Sequence, residues 1–144
     1  VSFIGKTYPM RLHAIEELSK IGKVEIFGTS VRSVKSEPGK IASKYRFCLC
    51  FENDLYPGYV TEKPVEAYLA GTIPLYYGSD PASFLNPKAL INLLDFNNIH
   101  EWIAYISKVN KNPKLYRYHY EQPLLLRKPS LNPVLDILRK VLLN

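Results

Sequence analysis

Three short apolar runs, each ended by polar or turn-forming residues, restrict the fold of this chain more than any other feature. The runs cover residues 45–51, 73–77 and 90–94, and a segment with helical periodicity, 61–71, separates the first two. This alternation of strands and helices predicts a three-layer α/β domain with a parallel sheet, to which a run at 23–27 adds a fourth strand. Because ligands of parallel sheets bind beyond the carboxyl ends of the strands, the residues after each run are candidates for a site.

Apolar residues three and four apart predict further helices on either side of this unit. These helices begin at or near Tyr8, Asn98, Lys114 and Asn132. Residues 28–44 are polar and are expected to form a loop. The inward-facing residues predicted for the first helix and for the helix at 61–71 are Leu12, Ile15, Leu18, Val65, Tyr68 and Leu69.

Composition narrows the possible partners. The 144 residues are 47% hydrophobic, which is enough for the core of a single domain over residues 1–144. The net charge of +6 suits a nucleic acid, an anionic membrane or a phosphorylated small molecule. Lys and Arg are spread along the chain and no nucleic-acid-binding motif is present, so we expect no nucleic acid partner. No apolar stretch reaches the roughly 18 residues that predict a membrane-spanning helix.

The cysteine and histidine residues predict neither a disulfide nor a metal site. Cys48 and Cys50 lie on one predicted strand and share a face, which does not favour a bridge, so we expect two buried thiols in a reducing compartment. His13, His100 and His119 are scattered, and none has a cysteine or carboxylate at ligand spacing. We therefore assign the histidines no catalytic or metal-binding role.

The main candidate for an anion site lies at the predicted start of the helix at 61–71. Thr61 is expected to cap this helix, whose free N–H groups and dipole favour an anion, and Lys63 adds a positive charge. An equally good interpretation is that Glu62 only complements the helix dipole and that Lys63 is a solvated surface charge. Arg11, in the first turn of the first helix, suits a diphosphate, although an exposed surface arginine is the commoner interpretation.

Two further candidates lie beside the same elements. Asn53 follows the run 45–51 within Glu52-Asn53-Asp54, where amide and carboxylate groups either bind sugar hydroxyls or only complete a turn. Tyr59 precedes the helix and either covers a bound ligand or packs against the helix end. The residues alone leave these alternatives open.

Five motifs between residues 51 and 96 form a pattern of their own. They are FEN at 51–53, GYVTEK at 58–63, AGTIPLYYG at 70–78, FLNP at 84–87 and LDF at 94–96. Together they resemble the signature of the α-1,3/4-fucosyltransferases, glycosyltransferase family 10. A weaker likeness extends back to Arg11 and forward to about Pro123.

The resemblance implies a glycosyltransferase of the GT-B type, built from two facing Rossmann-like domains, with this chain as the C-terminal half that binds GDP-fucose. The donor-binding residues that it implies are Arg11, Asn53, Tyr59, Thr61, Glu62 and Lys63. In that family the positions of Arg11 and Lys63 meet the diphosphate. Those of Tyr59 and Glu62 help to hold the nucleotide and the fucose. The implied catalytic residues are therefore Arg11, Lys63 and Glu62, and their two cations suggest that no metal cofactor is required.

The implied reaction is the inverting transfer of fucose from GDP-fucose to a glycan acceptor. In this family the general base that deprotonates the acceptor belongs to the N-terminal half, which this chain lacks. We therefore expect the isolated chain to be inactive and the acceptor to be reached through the missing domain. A purine-nucleotide-binding module without catalysis of its own is the alternative function.

The resemblance is closer to bacterial members of the family than to vertebrate ones, because vertebrate members carry cysteine bridges near the C-terminus and no cysteine follows Cys50 here. The expected location is the cytoplasm or the cytoplasmic face of a bacterial inner membrane, with lipopolysaccharide as a class of acceptor, or the Golgi membrane in a eukaryote. Arg127, Lys128, Arg139 and Lys140 flank apolar residues near the end of the chain. The terminal helix therefore either contacts an anionic bilayer or packs against protein.

Overall fold

Five strands form one parallel sheet in the computed structural model, which describes residues 2–4, 8–27, 38–79, 84–128 and 130–142. The strands are β1 (Ser2–Ile4), β2 (Glu25–Phe27), β3 (Phe47–Phe51), β4 (Ile73–Tyr77) and β5 (Ile91–Asn92). They lie across the sheet in the order β2-β1-β3-β4-β5, and all neighbours are parallel. The predicted parallel sheet is confirmed, and β1 adds a strand to the four that the apolar runs predict.

Helices connect and cover these strands. Within the described residues they are α1 (Pro9–Ser19), α2 (Pro38–Ala42), α3 (Lys63–Leu69), α4 (Ile99–Lys111), α5 (Pro113–Tyr120) and α6 (Asn132–Leu142). The prediction of a loop over residues 28–44 is wrong at α2, which begins with a proline and buries Ile41 and Ala42. Residues 28–37 lie outside the described ranges.

The third apolar run, predicted as a strand over 90–94, leaves the sheet early. β5 is followed directly by a 3-10 helix, Leu93–Asp95. The cause is local, because the side chain of Asn92 accepts a hydrogen bond from the Leu94 N–H at 3.3 Å. This side chain bond competes with continued strand pairing, as asparagine side chains commonly do.

The core lies on both faces of β3, which is buried at every position. Phe47, Leu49 and Phe51 pack on one face with α1 and α4. Cys48 and Cys50 pack on the other face with α3 and with residues 85–90. Successive side chains of a strand alternate between faces, so a strand buried throughout needs cover on both sides. The predicted three-layer α/β architecture is therefore confirmed.

Two of the predicted inward-facing leucines are exposed instead. Leu12 is 49% exposed and Leu69 is 78% exposed. In α1, Arg11 takes the buried position one residue before Leu12, and in α3 the buried residues are Pro64 and Ala67. Both helices carry apolar residues around their circumference, so periodicity alone did not select the buried face. The other predicted positions, Ile15, Leu18, Val65 and Tyr68, are buried or partly buried.

The helix ends follow recognisable capping signals. Gly71 comes directly after the C-cap residue of α3 and has a φ of 76°, in the left-handed region that glycine adopts without steric cost. Asn98 caps α4 by accepting a hydrogen bond from the Glu101 N–H at 3.0 Å. Asn112 caps α5 in the same way, through the N–H groups of residues 114 and 115. These caps place α4 and α5 where the sequence predicts helices.

Cys48 and Cys50 are both buried, as predicted, and both are thiols rather than members of a disulfide. Burial raises the pKa of the Cys50 thiol well above its ordinary value, and its Sγ contacts the carbonyl oxygens of Cys48 and Lys63 at 3.4 Å. Such a thiol behaves as a small apolar residue. Among the described residues, no helix has both the length and the apolar character needed to cross a bilayer.

Candidate functional site

A cleft of about 390 Å³ opens at the carboxyl ends of β3 and β4, and we call it the carboxyl-edge cleft. It is lined by residues 8–11 at the start of α1, residues 51–55 after β3, and Tyr77 at the end of β4. The sheet order explains this meeting, because β1, which precedes α1, lies directly beside β3. The cleft therefore lies where parallel sheets bind their ligands.

Arg11 is a buried part of this cleft, with only 2% of its surface exposed. Its Nη2 donates hydrogen bonds to the Phe51 carbonyl at 2.6 Å and to the Asn53 Oδ1 at 3.1 Å. Burial lowers the pKa of the guanidinium, while Tyr8 and Glu52 act to raise it. An arginine remains protonated under such shifts, so a positive charge is held at this strand end. The interpretation of Arg11 as an exposed surface charge is therefore wrong.

Glu52 is the most highly connected side chain of the site, and none of it is exposed to solvent. Its Oε1 accepts hydrogen bonds from the Thr61 N–H at 2.9 Å and from the Tyr76 hydroxyl at 3.3 Å. Its Oε2 accepts from the Thr61 hydroxyl at 2.7 Å and from the Lys63 ammonium at 2.9 Å. The loop after β3 is thereby joined to the start of α3 through one carboxylate.

Thr61 and Lys63 meet at this carboxylate, in a way that differs from the prediction for Thr61. The residue at the N-cap position of α3 is Glu62, which makes no side-chain capping bond, so the predicted Thr61 cap is wrong. The Thr61 hydroxyl instead donates to Glu52 and accepts from the Lys63 ammonium at 3.0 Å. The charged carboxylate and ammonium are stronger hydrogen-bond partners for the hydroxyl than a backbone N–H is, which accounts for the change of partner.

Tyr76 and Gly78 support the carboxylate from below. The Tyr76 side chain is fully buried, and burial raises the pKa of its hydroxyl, with Glu52 acting in the same direction. The hydroxyl therefore stays protonated and able to donate. A side chain at Gly78 would overlap the Tyr76 ring, so the absence of a Cβ at Gly78 is what gives this ring its place.

The structure does not bring every predicted residue into the cleft. Thr61, Glu62 and Lys63 lie at the start of α3, and Tyr59, which is 38% exposed, comes shortly before them; none of these four residues lines the carboxyl-edge cleft. Glu62 serves α3 through its backbone, since its carbonyl accepts from the Glu66 N–H at 2.8 Å. Asn53 is exposed at the cleft with its side chain on Arg11. Arg11 and Asn53 therefore line the cleft, Thr61 and Lys63 are joined to the end of β3 through Glu52, and Tyr59 and Glu62 lie on the segment that leads into α3.

The sequence-based prediction considered the Glu52 carboxylate only for sugar hydroxyls or for a turn, and it missed the contact with Lys63. A usable signal was present, because Glu52 directly follows a strand buried throughout, and a threonine and a lysine follow nine and eleven residues later. Among the described residues, no group of three His, Cys, Asp or Glu side chains is placed to hold a metal ion. His119 is engaged by protein instead, with Nδ1 at 2.7 Å from the Lys88 carbonyl.

Comparison with known proteins places these residues in one family. The family model for "Glycosyltransferase family 10 (fucosyltransferase) C-term" matches residues 1–123. The α-(1,3)-fucosyltransferase FucT of Helicobacter pylori is 41% identical over 115 residues, which are 78% of this chain and 23% of that enzyme. The 4-galactosyl-N-acetylglucosaminide 3-α-L-fucosyltransferase 9 of Mus musculus is 31% identical over 76% of this chain and 32% of that enzyme.

Solved structures show the same relationship. A crystal structure of an α1,3-fucosyltransferase with GDP-fucose has a TM-score of 0.90 and 32% sequence identity, over 99% of this chain and 47% of that one. A crystal structure of an α1,3-fucosyltransferase with GDP has a TM-score of 0.89 and 31% identity, over 99% and 46%. The predicted fold class is confirmed by this likeness. The chain spans less than half the length of the solved structures that it matches.

Proposed function

Because this chain belongs to glycosyltransferase family 10, within the part that the family model describes as C-terminal, we propose that it binds the donor GDP-fucose in the carboxyl-edge cleft. One observation carries the proposal: three consecutive residues, the last of β3 and the two that follow it, hold two cations. The Phe51 carbonyl and Asn53 accept from Arg11, and Glu52 accepts from Lys63. Two cations bound at one strand end suit the diphosphate of a nucleotide sugar.

We propose the following roles for the remaining donor-binding residues. Asn53, exposed at the cleft, lies close to the nucleotide and keeps Arg11 in place. Thr61 acts through its hydrogen bond to Lys63. Tyr59 and Glu62, at the margin of the cleft, help to hold the nucleotide and the fucose. The family resemblance, rather than any contact within this chain, supports these roles for the two exposed side chains.

The proposed reaction is an inverting transfer that makes an α-1,3 or α-1,4 linkage. The acceptor oxygen attacks C1 of fucose as the bond from C1 to the diphosphate oxygen breaks, and the electron pair of that bond leaves with GDP. The acceptor proton passes to a general base that we place in the N-terminal half of the whole enzyme. Arg11 and Lys63 stabilise the negative charge that grows on the diphosphate, and Glu62 supports the positive sugar ring. With two cations supplied by the protein, the reaction needs no metal ion.

We also propose that α6 makes a peripheral contact with an anionic bilayer, on the cytoplasmic face of a bacterial inner membrane where a lipopolysaccharide acceptor would be met. The described side chains of α6 are all exposed. Its described apolar residues, Leu135, Ile137, Leu138, Val141 and Leu142, occupy one side of the helix. Arg139 and Lys140 occupy the opposite side. A helix with one apolar and one basic side is suited to the surface of an anionic membrane.

Calorimetric titration of this chain with GDP, GDP-fucose and UDP tests the donor proposal. We expect GDP and GDP-fucose to bind and UDP to bind much more weakly, because the family resemblance specifies a purine nucleotide. Equal affinities for GDP and UDP would contradict that specificity, and tighter binding of a short oligonucleotide would overturn the proposed site. When the N-terminal half is restored, binding of GDP without any fucosyl transfer would leave a purine-nucleotide-binding module as the function.

A further inference from the structure

We propose that Glu52 is a positioning residue that holds the Lys63 ammonium in place for the donor diphosphate. This inference rests on the function proposed above, and it assigns a role to a residue outside the predicted site. Glu52 is one of the residues around the carboxyl-edge cleft, and its buried side chain contacts Lys63. It therefore links the loop that carries the Arg11 contacts to the helix that carries the second cation.

Glu52 itself has no capacity left to bind a substrate hydroxyl. A carboxylate offers about four acceptor positions on its two oxygens. Both oxygens of Glu52 already accept two hydrogen bonds, from Thr61 twice, from Tyr76 and from Lys63. Its side chain is also closed to solvent. The carboxylate can therefore act on the donor only through the groups that it holds.

Lys63 is the group whose behaviour depends on this carboxylate. A lysine side chain has a flexible stem, and fixing it on a phosphate costs rotamer entropy at the moment of binding. Here the ammonium already donates to the Glu52 Oε2 at 2.9 Å and to the Thr61 hydroxyl at 3.0 Å. An ammonium has three N–H donors, so the third remains for a phosphate oxygen. The side chain is 25% exposed, so it is not closed to solvent.

The position of the carboxylate is in turn set by the sheet beneath it. The Glu52 N–H donates to the Tyr77 carbonyl at 2.8 Å, which continues the pairing of β3 with β4 by one residue. The Tyr76 hydroxyl supports Oε1 from a ring that is fully buried. The ring has this place because Gly78 carries no Cβ. A rigid support of this kind is what allows one side chain to preorganise another.

The first experiment observes Lys63 directly, without any ligand. Nitrogen-15 spectra of the lysine ammonium groups should show a Lys63 signal with slow hydrogen exchange in the native chain. Glu52→Gln keeps the shape but replaces one carboxylate oxygen by a donor, so exchange at Lys63 should become about tenfold faster on loss of a charge-assisted bond. Asp54→Asn, which removes a carboxylate from the same cleft without touching this network, should leave the Lys63 signal unchanged. The exposed Lys108 is an internal reference.

The second experiment separates positioning from direct contact by a double-mutant cycle on GDP binding. Removal of a negative charge near a phosphate site should by itself tighten GDP binding. If Glu52 positions Lys63, the change in GDP affinity should have the opposite sign. Glu52→Gln should then weaken GDP binding about fivefold, because the lysine loses its fixed geometry. In a Lys63→Ala background the same substitution should not weaken GDP binding further, because the group that it positions is gone.

Three results would overturn the proposal: an unchanged Lys63 signal in Glu52→Gln, tighter GDP binding by that variant, or additive losses in the double variant. If Glu52→Gln does not fold, as judged by circular dichroism, Thr61→Val removes the second anchor of Lys63 and should also speed exchange at Lys63. A native chain that binds no GDP, yet shows a protected Lys63, would contradict the proposed function and leave the positioning geometry supported by the spectra.

Discussion

Two clefts of similar size lie at opposite edges of the sheet, and they differ in what their polar groups do. The carboxyl-edge cleft measures about 390 Å³ and contains Arg11, Glu52 and Asn53. The second, which we call the amino-edge cleft, measures about 360 Å³ and is lined by Tyr68, Leu69, Gly71, Thr72, Ile73, Ala89, His119 and Tyr120. Volume alone does not distinguish them, so the chemistry of the lining groups has to decide which one is the better candidate for the proposed nucleotide site.

The polar groups of the amino-edge cleft serve the fold. His119 Nδ1 faces the Lys88 carbonyl at 2.7 Å, and a carbonyl can only accept, so Nδ1 carries the proton. Its Nε2 then accepts from the Tyr105 hydroxyl at 2.9 Å. The Thr72 hydroxyl donates to the Ala67 carbonyl at 2.8 Å. The carboxyl-edge cleft instead contains the buried Arg11, and its Glu52 holds a second cation, Lys63. Concentrated charge, rather than size, therefore makes this cleft the better candidate for an anionic ligand.

The largest effect that we expect is the loss of GDP affinity when a cation is removed from the carboxyl ends of the strands. Arg11→Ala and Lys63→Ala should each weaken GDP binding by roughly ten- to a hundredfold, because charge-assisted hydrogen bonds contribute about 1.5–3 kcal/mol each. Calorimetry on the isolated chain measures this directly. In the two-domain enzyme the same substitutions should slow fucosyl transfer.

Matched controls come from cations outside both clefts. Arg117→Ala on α5 and Lys108→Ala on α4 remove the same charges from exposed positions and should leave GDP binding unchanged. A loss of affinity in the controls equal to that in the cleft variants would show that net charge, rather than the carboxyl-edge cleft, governs binding. The comparison between the two edges would then fail.

His119→Gln tests the opposite edge and should affect stability rather than binding. The substitution disturbs hydrogen bonds to Lys88 and Tyr105, which should lower the free energy of unfolding by about 1–3 kcal/mol at pH 8. Urea unfolding followed by circular dichroism measures the change. GDP affinity should remain that of the native chain, and a marked loss would mean that the amino edge takes part in binding.

The same residue predicts a pH dependence of stability. Burial lowers the pKa of His119, partly opposed by the Lys88 carbonyl, so the unfolded chain binds the proton more readily than the folded chain. The stabilising contribution is therefore complete above the unfolded pKa of about 6.5 and is lost as the pH falls through the lower folded pKa. The free energy of unfolding should be measured for the native chain and for His119→Gln between pH 8 and pH 5. The difference between the two should become smaller towards acid pH, and a difference that grows would contradict this prediction.

Glu62→Gln tests a residue at the margin of the carboxyl edge and should have a smaller effect. The substitution keeps the shape and removes the negative charge, so GDP binding by this chain should be largely retained. Transfer by the two-domain enzyme should fall by about tenfold, since the proposed support of the positive sugar ring is lost. Equal losses in binding and in transfer would instead make Glu62 a residue that binds the nucleotide.

The smallest effect concerns α6, which contributes to neither cleft as described. Sedimentation with liposomes should show binding that increases with the fraction of anionic lipid. Arg139→Gln should weaken it by about 1 kcal/mol, which is about fivefold, as expected for one basic residue near such a surface. Asp136→Asn, on the same helix, should not weaken it. Liposome binding that does not depend on anionic lipid would contradict the proposed membrane contact.

Predictions from the sequence succeeded where the physical cause was local. The strands β3 and β4 follow from continuous apolar runs, and α4 and α5 follow from helical periodicity, to which the structure adds the asparagine caps Asn98 and Asn112. They failed where a distant group changed the outcome. Arg11 replaces Leu12 on the buried face of α1 because the Phe51 carbonyl, forty residues away in the sequence, accepts its hydrogen bond.

The sequence by itself determined the parallel α/β architecture and the order of its elements, because apolar periodicity, capping and turn chemistry act between near neighbours. The residues proposed to meet a diphosphate came from the family resemblance of its motifs. Only the tertiary structure decided that Thr61 bonds to a carboxylate instead of capping α3, and that Glu52 joins β3, β4 and α3 through one buried group. These contacts depend on which strand ends lie side by side. That order is set by packing of the whole sheet, and no local pattern in the sequence encodes it.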